Sequence, residues 1–216
     1  MKLLVSGCSM THGAELYNNF MHPNNVKLSY SQHIADALGI ENLNVALSAS
    51  SNEYIFHSLI ENILAHDDIH SVIVMWTTTG RKYWKCNNRH YFVNGNFASS
   101  MVDPVNFEMH DKESNGVWIT GDSDDIVNQL SQHLPFFITN YYDHYEEYRK
   151  LQHYSESLKA LCDTKNLKLI ELNFLTVDTV CPGVLDKQRH PDAIEHKMIA
   201  EYILNTYYEH NLGPLC

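Results

Sequence analysis

The sequence predicts an α/β protein, a three-layer α/β/α sandwich of flavodoxin-like layout with a central parallel sheet and an insertion after the third strand. Three observations predict it. Short aliphatic runs alternate with stretches of helical spacing along most of the chain, which is the pattern of βαβ units. Ser71 to Trp76 (SVIVMW) is a near-continuous apolar run, as expected of a strand covered on both faces. The alternation breaks once, over residues 82–134, which are rich in Asn, Gly, Ser and Asp with scattered aromatics.

The elements follow in order. Lys2 to Ser6 is a short β-branched and aliphatic run closed by Gly7, a first buried strand. Tyr30 to Leu38 carries apolar residues at 30, 34, 35 and 38, a helical spacing that Gly39 stops. Asn42 to Leu47 reads as the second strand. Asn52 to Ala65 places Ile55, Leu59, Ile60, Ile63 and Leu64 on one face of a helix capped near Ser51. Ser71 to Trp76 is the third strand. In the insertion, Tyr91 to Phe97 reads as a hairpin around Asn94-Gly95. Long irregular stretches inside compact domains usually serve a site, so 82–134 is expected to cover or border one. Pro135 to Cys162 is a long tyrosine-rich helical segment, and Leu167 to Leu172 a fourth strand. Pro191 to Tyr208 is the last helix, with Pro191 in its first turn, where a missing N–H costs nothing. A single domain over 1–216 is expected.

Composition excludes some functions. Lys and Arg number 15 against 26 Asp and Glu, a formal net charge of −11. An acidic chain without a basic block is a poor ligand for a phosphate backbone, so no nucleic-acid partner is expected. No run approaches the roughly 18 apolar residues of a membrane span, so no membrane partner is expected either. Leu4-Val5-Ser6-Gly7-Cys8 looks like a lipoprotein cleavage site, but only Leu3, Leu4 and Val5 precede Ser6 as strong apolar residues. A signal peptide needs a core of about 7–15. The five cysteines (Cys8, Cys86, Cys162, Cys181, Cys216) are odd in number and lack CxxC spacing. Free thiols in a reducing, cytoplasmic setting are the expectation.

Ligands of parallel α/β sheets bind at the carboxyl ends of the strands. The loops that matter are therefore those after Ser6, after Leu47, after Trp76 and before the last helix. The first is Gly7-Cys8-Ser9-Met10-Thr11-His12-Gly13, in which Ser9 is a nucleophile or a helix cap. Neither GxGxxG nor GxxxxGK[ST] is present, which disfavours a nucleotide-binding, flavodoxin-like function. The last is Asp186-Lys187-Gln188-Arg189-His190-Pro191, an acidic residue ahead of a histidine at a helix entry. That is the arrangement of a general base and an orienting carboxylate.

Other features have plainer readings. Gly121-Asp122-Ser123 follows no buried strand and reads as a loop with a capping residue. His66 and His70 have i,i+4 spacing, but no third ligand and no HExxH accompany them, so solvated or capping roles are favoured and no metal is expected. Tyr141, Tyr142, Tyr145, Tyr148 and Tyr154 suit core packing or a partner helix. Trp76 ends a strand at the site edge, with Trp84 and Trp118 in the insertion; aromatic walls suit sugars or acyl groups, and buried packing is the alternative. Cys8 lacks an evident cationic partner and reads as a buried thiol.

Taken together these loops resemble the SGNH hydrolase (GDSL-like esterase) superfamily, most of all uncharacterised members of the kind found in phage genomes. Gly7-Cys8-Ser9-Met10-Thr11-His12-Gly13 is similar to the first block, Gly-Asp-Ser-Leu-(Ser/Thr)-x-Gly, with Cys8 for Asp. Asn44 to Asn52 is similar to the second, with Ala49 at the oxyanion glycine. Thr77-Thr78-Thr79-Gly80-Arg81 stands at the third, Gly-x-Asn-Asp, and holds no Asn. Asp186 to Pro191 stands at the fifth, Asp-x-x-His-Pro, with Asp186 one place further from His190. The resemblance spans the chain apart from 82–134. It implies Ser9 as nucleophile, His190 as base and Asp186 as orienting carboxylate. It implies backbone N–H groups of Ser9 and Ala49 in an oxyanion hole, with the Thr78 or Thr79 hydroxyl, Asn52 or Arg81 as candidates to replace the missing amide; by their position Trp76 and Arg81 are the candidates to bind the substrate. The substrate would be a small-molecule or glycan ester, an O-acetyl group for example, and no cofactor is needed. The departures motivate an alternative, a catalytically degenerate module that binds a glycan or a protein.

Overall fold

A computed structural model of the chain describes residues 1–17, 22–86, 89–95, 112–114, 117–121, 144–184 and 189–208. Its centre is a four-stranded sheet in the order β2-β1-β3-β8. These strands are Lys2–Ser6 (β1), Glu41–Asn44 (β2), Ile69–Met75 (β3) and Lys168–Leu172 (β8). Every pairing among them is parallel. β1 lies between β2 and β3, which explains its uninterrupted apolar character.

Strand alternation divides the core into two clusters. Leu3 and Val5 of β1, with Ile73 and Met75 of β3, face one layer and meet Tyr30, Ile34, Ile199 and Ile203. Leu4, Val72 and Val74 face the other and meet Ile55, Leu59, Ile63 and Leu158. The first layer holds helices α2 (Tyr30–Leu38) and α6 (Ala193–Tyr207); the second holds α3 (Asn52–Ala65) and α4 (His144–Thr164). Burying each of these aliphatic side chains contributes about 1.5–3 kcal/mol.

The local signals explain most boundaries. Gly39 ends α2 at φ 65°, the left-handed conformation that glycine adopts without strain. The Ser51 side chain accepts the Tyr54 N–H and starts α3. The last helix begins later than the proline signal implies. Asp192 accepts the N–H groups of Ile194 and Glu195 while Glu195 reaches back to the Asp192 N–H, a capping box that starts α6 at Ala193. Pro191 therefore precedes the cap and is not in the first turn. A short helix, α5 (Phe174–Val180), is absent from the sequence reading; Asn173 and Thr176 form its capping box.

Between β3 and α4 the chain builds a second, antiparallel sheet in the order β4-β5-β7-β6, from Arg81–Cys86, Arg89–Gly95, Val117–Gly121 and Lys112–Ser114. The Asn94-Gly95 hairpin turn is not formed. Asn94 pairs with Arg81 on one side and Trp118 on the other, and Gly95 pairs with Val117, so both are strand residues. Residues 96–97, Asp122, Ser123, Tyr141, Tyr142 and the start of the expected 135–162 helix lie outside the described residues. Among the described residues no helix is long and apolar enough to cross a membrane.

Candidate active site

The carboxyl end of β1 delivers Gly7, Cys8 and a single helical turn, α1 (Ser9–His12). Gly7 has no space for a side chain, because a Cβ there would stand 2.1 Å from Thr11 Oγ1 and 2.7 Å from Thr11 Cβ. Gly13 closes the turn at φ 77° and returns its N–H to Ser9 O. Ser9 is 5% exposed. Its N–H stands at the first helical position, beyond reach of the helix's own carbonyls, and Cys8 supplies no side-chain cap. Cys8 is fully buried in the core beside Met10.

The second loop is tied to the first. Asn44 Nδ2 donates to Thr11 O (3.0 Å) and Ser31 Oγ (2.8 Å), and its Oδ1 accepts the Ala46 N–H (2.9 Å). Gly7 O accepts from Leu47 N (3.3 Å) and from Ser50 Oγ (2.8 Å). Between these anchors Ala49 is held at φ 66°. An alanine there adopts the conformation of a glycine, at a cost of about 1–2 kcal/mol. The flanking Leu47 and Ser50 are thereby tied to Gly7, just ahead of the Ser9 turn.

The third loop carries no side-chain amide of its own. Asn52 Oδ1 accepts the Thr77 N–H at 2.8 Å and its Nδ2 donates to Thr77 O at 2.9 Å. Asn52 thus acts first as a clamp on the loop backbone. Thr78 is exposed beyond it. Trp76 packs in the core with Leu4 and Ile55, and its Nε1–H donates to Glu171 Oε2 at 2.7 Å. Its ring is a core wall in this arrangement.

His190 enters from the fourth loop. Arg189 forks onto Glu195 at 2.6 and 2.5 Å and donates to His190 O at 3.0 Å, fixing the backbone ahead of α6. The His190 side chain is 11% exposed, and its Nδ1 lies 3.2 Å from Glu15 Oε2. Asp186 lies outside the described residues. Glu15 is a residue that the sequence reading missed. It sits at φ 72° just past the Ser9 turn, and its proximity to Ser9 in sequence is the signal that was available.

Burial holds the His190 imidazole below its ordinary pKa of 6.5; the Glu15 carboxylate opposes this and the Arg81 charge adds to it. The ring is therefore neutral at neutral pH. With Nδ1–H donated to Glu15, Nε2 is the basic nitrogen of the ring. The Ser9 hydroxyl has no hydrogen-bond partner among the described residues, so it and His190 are not directly bonded. Catalytic hydrogen bonds are often long without substrate and tighten in the complex.

A third connection supports the turn from behind. Tyr30 donates its N–H to His196 Nδ1 (3.0 Å) and its hydroxyl to Thr11 Oγ1 (3.1 Å). His196 is fully buried, and burial, with the nearby charges of His33 and His190, pushes its pKa down to about 3.

Beside these loops lies a cavity of about 210 Å³, lined by Asn52, Thr79, Arg81, Lys82, Glu147 and Lys150 among others. Glu147 pairs with Lys82 and with Lys150. Among the described residues no group of three His, Cys, Asp or Glu side chains is placed to hold a metal ion. His66 and His70 do not share a helical face, since His66 caps the end of α3 and His70 belongs to β3. Tyr154 stacks on Phe56 at 4.8 Å, whereas Tyr145 and Tyr148 are exposed.

No protein-family profile and no curated protein matches the chain. Several solved structures are similar. A lipolytic protein of the G-D-S-L family from Veillonella parvula is 12% identical, with 97% of this chain and 100% of that one covered and a TM-score of 0.41. A lipase/acylhydrolase from Enterococcus faecalis is 15% identical over 100% and 98% of the two chains, with a TM-score of 0.40. An active-site mutant of a family two carbohydrate esterase from Clostridium thermocellum is 12% identical over 95% and 63%, with a TM-score of 0.37.

Proposed function

We propose that this chain is a serine hydrolase of the SGNH type that cleaves an ester, with an O-acetyl group on a glycan as the expected substrate. The observation that carries the reading is His190 seated by Nδ1 on a carboxylate at the end of the Ser9 turn. A neutral imidazole held in that tautomer, at the carboxyl edge of a parallel sheet, is the base a serine nucleophile needs.

The steps follow from that arrangement. Ser9 Oγ attacks the ester carbonyl as His190 Nε2 takes its proton. The N–H groups of Ser9 and Ala49 face the developing oxyanion, helped by the Thr78 hydroxyl and the remaining amide hydrogen of Asn52. Each such donor contributes on the order of 10²–10³ in rate. The proton then passes to the leaving alcohol, and water, activated by the same imidazole, releases the acyl group from Ser9. Glu15 orients the ring, the role the family resemblance gives to Asp186.

Fluorophosphonate labelling read by peptide mass spectrometry tests this without a known substrate. An adduct on Ser9 that disappears in His190→Ala is the expected result. No adduct, or one that persists in His190→Ala, sinks the hydrolase reading in favour of a module that only binds a glycan or a protein.

A further inference from the structure

We propose that the cavity lined by Arg81 takes a carboxylate carried by the substrate, held by the Arg81 guanidinium. This rests on the ester-hydrolase reading and narrows its substrate class to esters bearing a negative charge close to the scissile bond.

The position of the cavity comes first. Asn52 and Thr79 line it; Asn52 opens α3 at the end of the loop that follows β2, and Thr79 lies in the loop that follows β3. Those loops are joined by the Asn52–Thr77 clamp. The cavity therefore adjoins the candidate oxyanion site. At about 210 Å³ it has room for a small acid group, not for a sugar chain.

The chemistry of the lining comes second. Arg81 lines the cavity, and its Nη1 makes no hydrogen bond among the described residues. The two lysines of the lining have an acidic partner in Glu147, and no ion pair joins Arg81 to a described residue. A planar guanidinium matches a carboxylate through two parallel N–H···O bonds. The cationic side chains Arg81, Lys82 and Lys150 stand against Glu53 and Glu147, a net charge that suits a monoanion better than a phosphate dianion. In a chain with a formal net charge of −11, a cation without an ion-pair partner among the described residues at this edge is a specific requirement and not part of a general basic field. The Arg81 charge also reaches His190, where it opposes protonation. A bound carboxylate neutralises that charge and lets the His190 pKa rise.

The test compares the mono-para-nitrophenyl ester of glutaric acid with para-nitrophenyl pentanoate, which has the same chain length and no charge. Wild-type protein is expected to favour the glutarate ester in kcat/KM by tenfold or more. Arg81→Gln is expected to lower the ratio of the two by about 10- to 100-fold, and Arg81→Lys to lower it less. A wild-type preference for the neutral ester, or a ratio unchanged in Arg81→Gln, overturns the inference. Binding of free glutarate to Ser9→Ala, followed by NMR through the His190 ring, gives an answer that does not need turnover. An upward shift of the His190 titration that is absent in Arg81→Gln supports the carboxylate site even where Ser9→Ala fails to abolish hydrolysis. No shift in Ser9→Ala overturns it even where hydrolysis depends on Ser9.

Discussion

Glu15 Oε2 and His190 Nδ1 stand 3.2 Å apart, joining the turn after the first strand to the loop before the last helix. The carboxylate favours the protonated ring and so raises its pKa against the lowering effect of burial. Removing the charge must lower that pKa further. In Glu15→Gln the acid limb of the kcat/KM profile is expected to move to lower pH. Activity at pH 7 is expected to fall about 10- to 100-fold, less than for a buried triad carboxylate because Glu15 is 59% exposed. A pH–rate profile with an unmoved or raised acid limb removes Glu15 from the positioning role.

Ala49 carries a strained backbone at φ 66°. Ala49→Gly relieves about 1–2 kcal/mol of strain and adds about 0.5–1 kcal/mol of chain entropy to the unfolded state. The expected net effect is a gain of up to about 1 kcal/mol in urea unfolding. Ala49→Val, with a branched Cβ in the same conformation, is expected to lose about 2 kcal/mol. A destabilised glycine variant contradicts the assigned conformation.

Gly7→Ala places a methyl group against Thr11 Oγ1, which the Tyr30 hydroxyl holds in place. Nothing there can give way cheaply, so a loss of about 1–3 kcal/mol is expected. Near-neutral thermal unfolding of this variant would show that the turn repacks.

His196 is expected to make a large contribution to the acid sensitivity of the fold. Its pKa is about 3 when folded and about 6.5 when unfolded. Between those values the unfolded chain binds a proton that the native protein refuses. The contribution is fully present above pH 6.5 and lost as pH falls toward 3, at about 1.4 kcal/mol per pH unit. His12 and His190, also lowered by burial, add losses of the same sign. His196→Asn, which keeps an acceptor for the Tyr30 N–H, is expected to reduce the proton dependence of unfolding by about one between pH 4 and 6. An unchanged dependence assigns the acid limit elsewhere.

The layers of the fold were legible because each has a local cause. β1 and β3 are buried on both faces and show it in composition, and Gly39 and Ser51 mark helix ends by their own chemistry. The hairpin at Asn94-Gly95 failed because the same dipeptide is tolerated in a strand once neighbouring strands supply partners, Arg81 and Trp118 for Asn94 and Val117 for Gly95. Pro191 misled because Asp192 makes the stronger start signal through two side-chain bonds. Ser9 and His190 stood out by type and by loop position. Glu15 did not, since its pairing with His190 exists only after the two ends of the chain are brought together, and no spacing rule encodes that. Trp76 illustrates the opposite case, an aromatic residue at the right edge whose ring the core claims.

The Glu15–His190 contact also has a consequence for synthesis. Synthesis makes the Ser9 turn well before His190, with every strand except β1 in between. Until the final helix docks, Glu15 has no His190 ring to seat. On the proposed mechanism a chain that lacks His190 and the final helix would lack its base, and ester cleavage is expected only once α6 has docked.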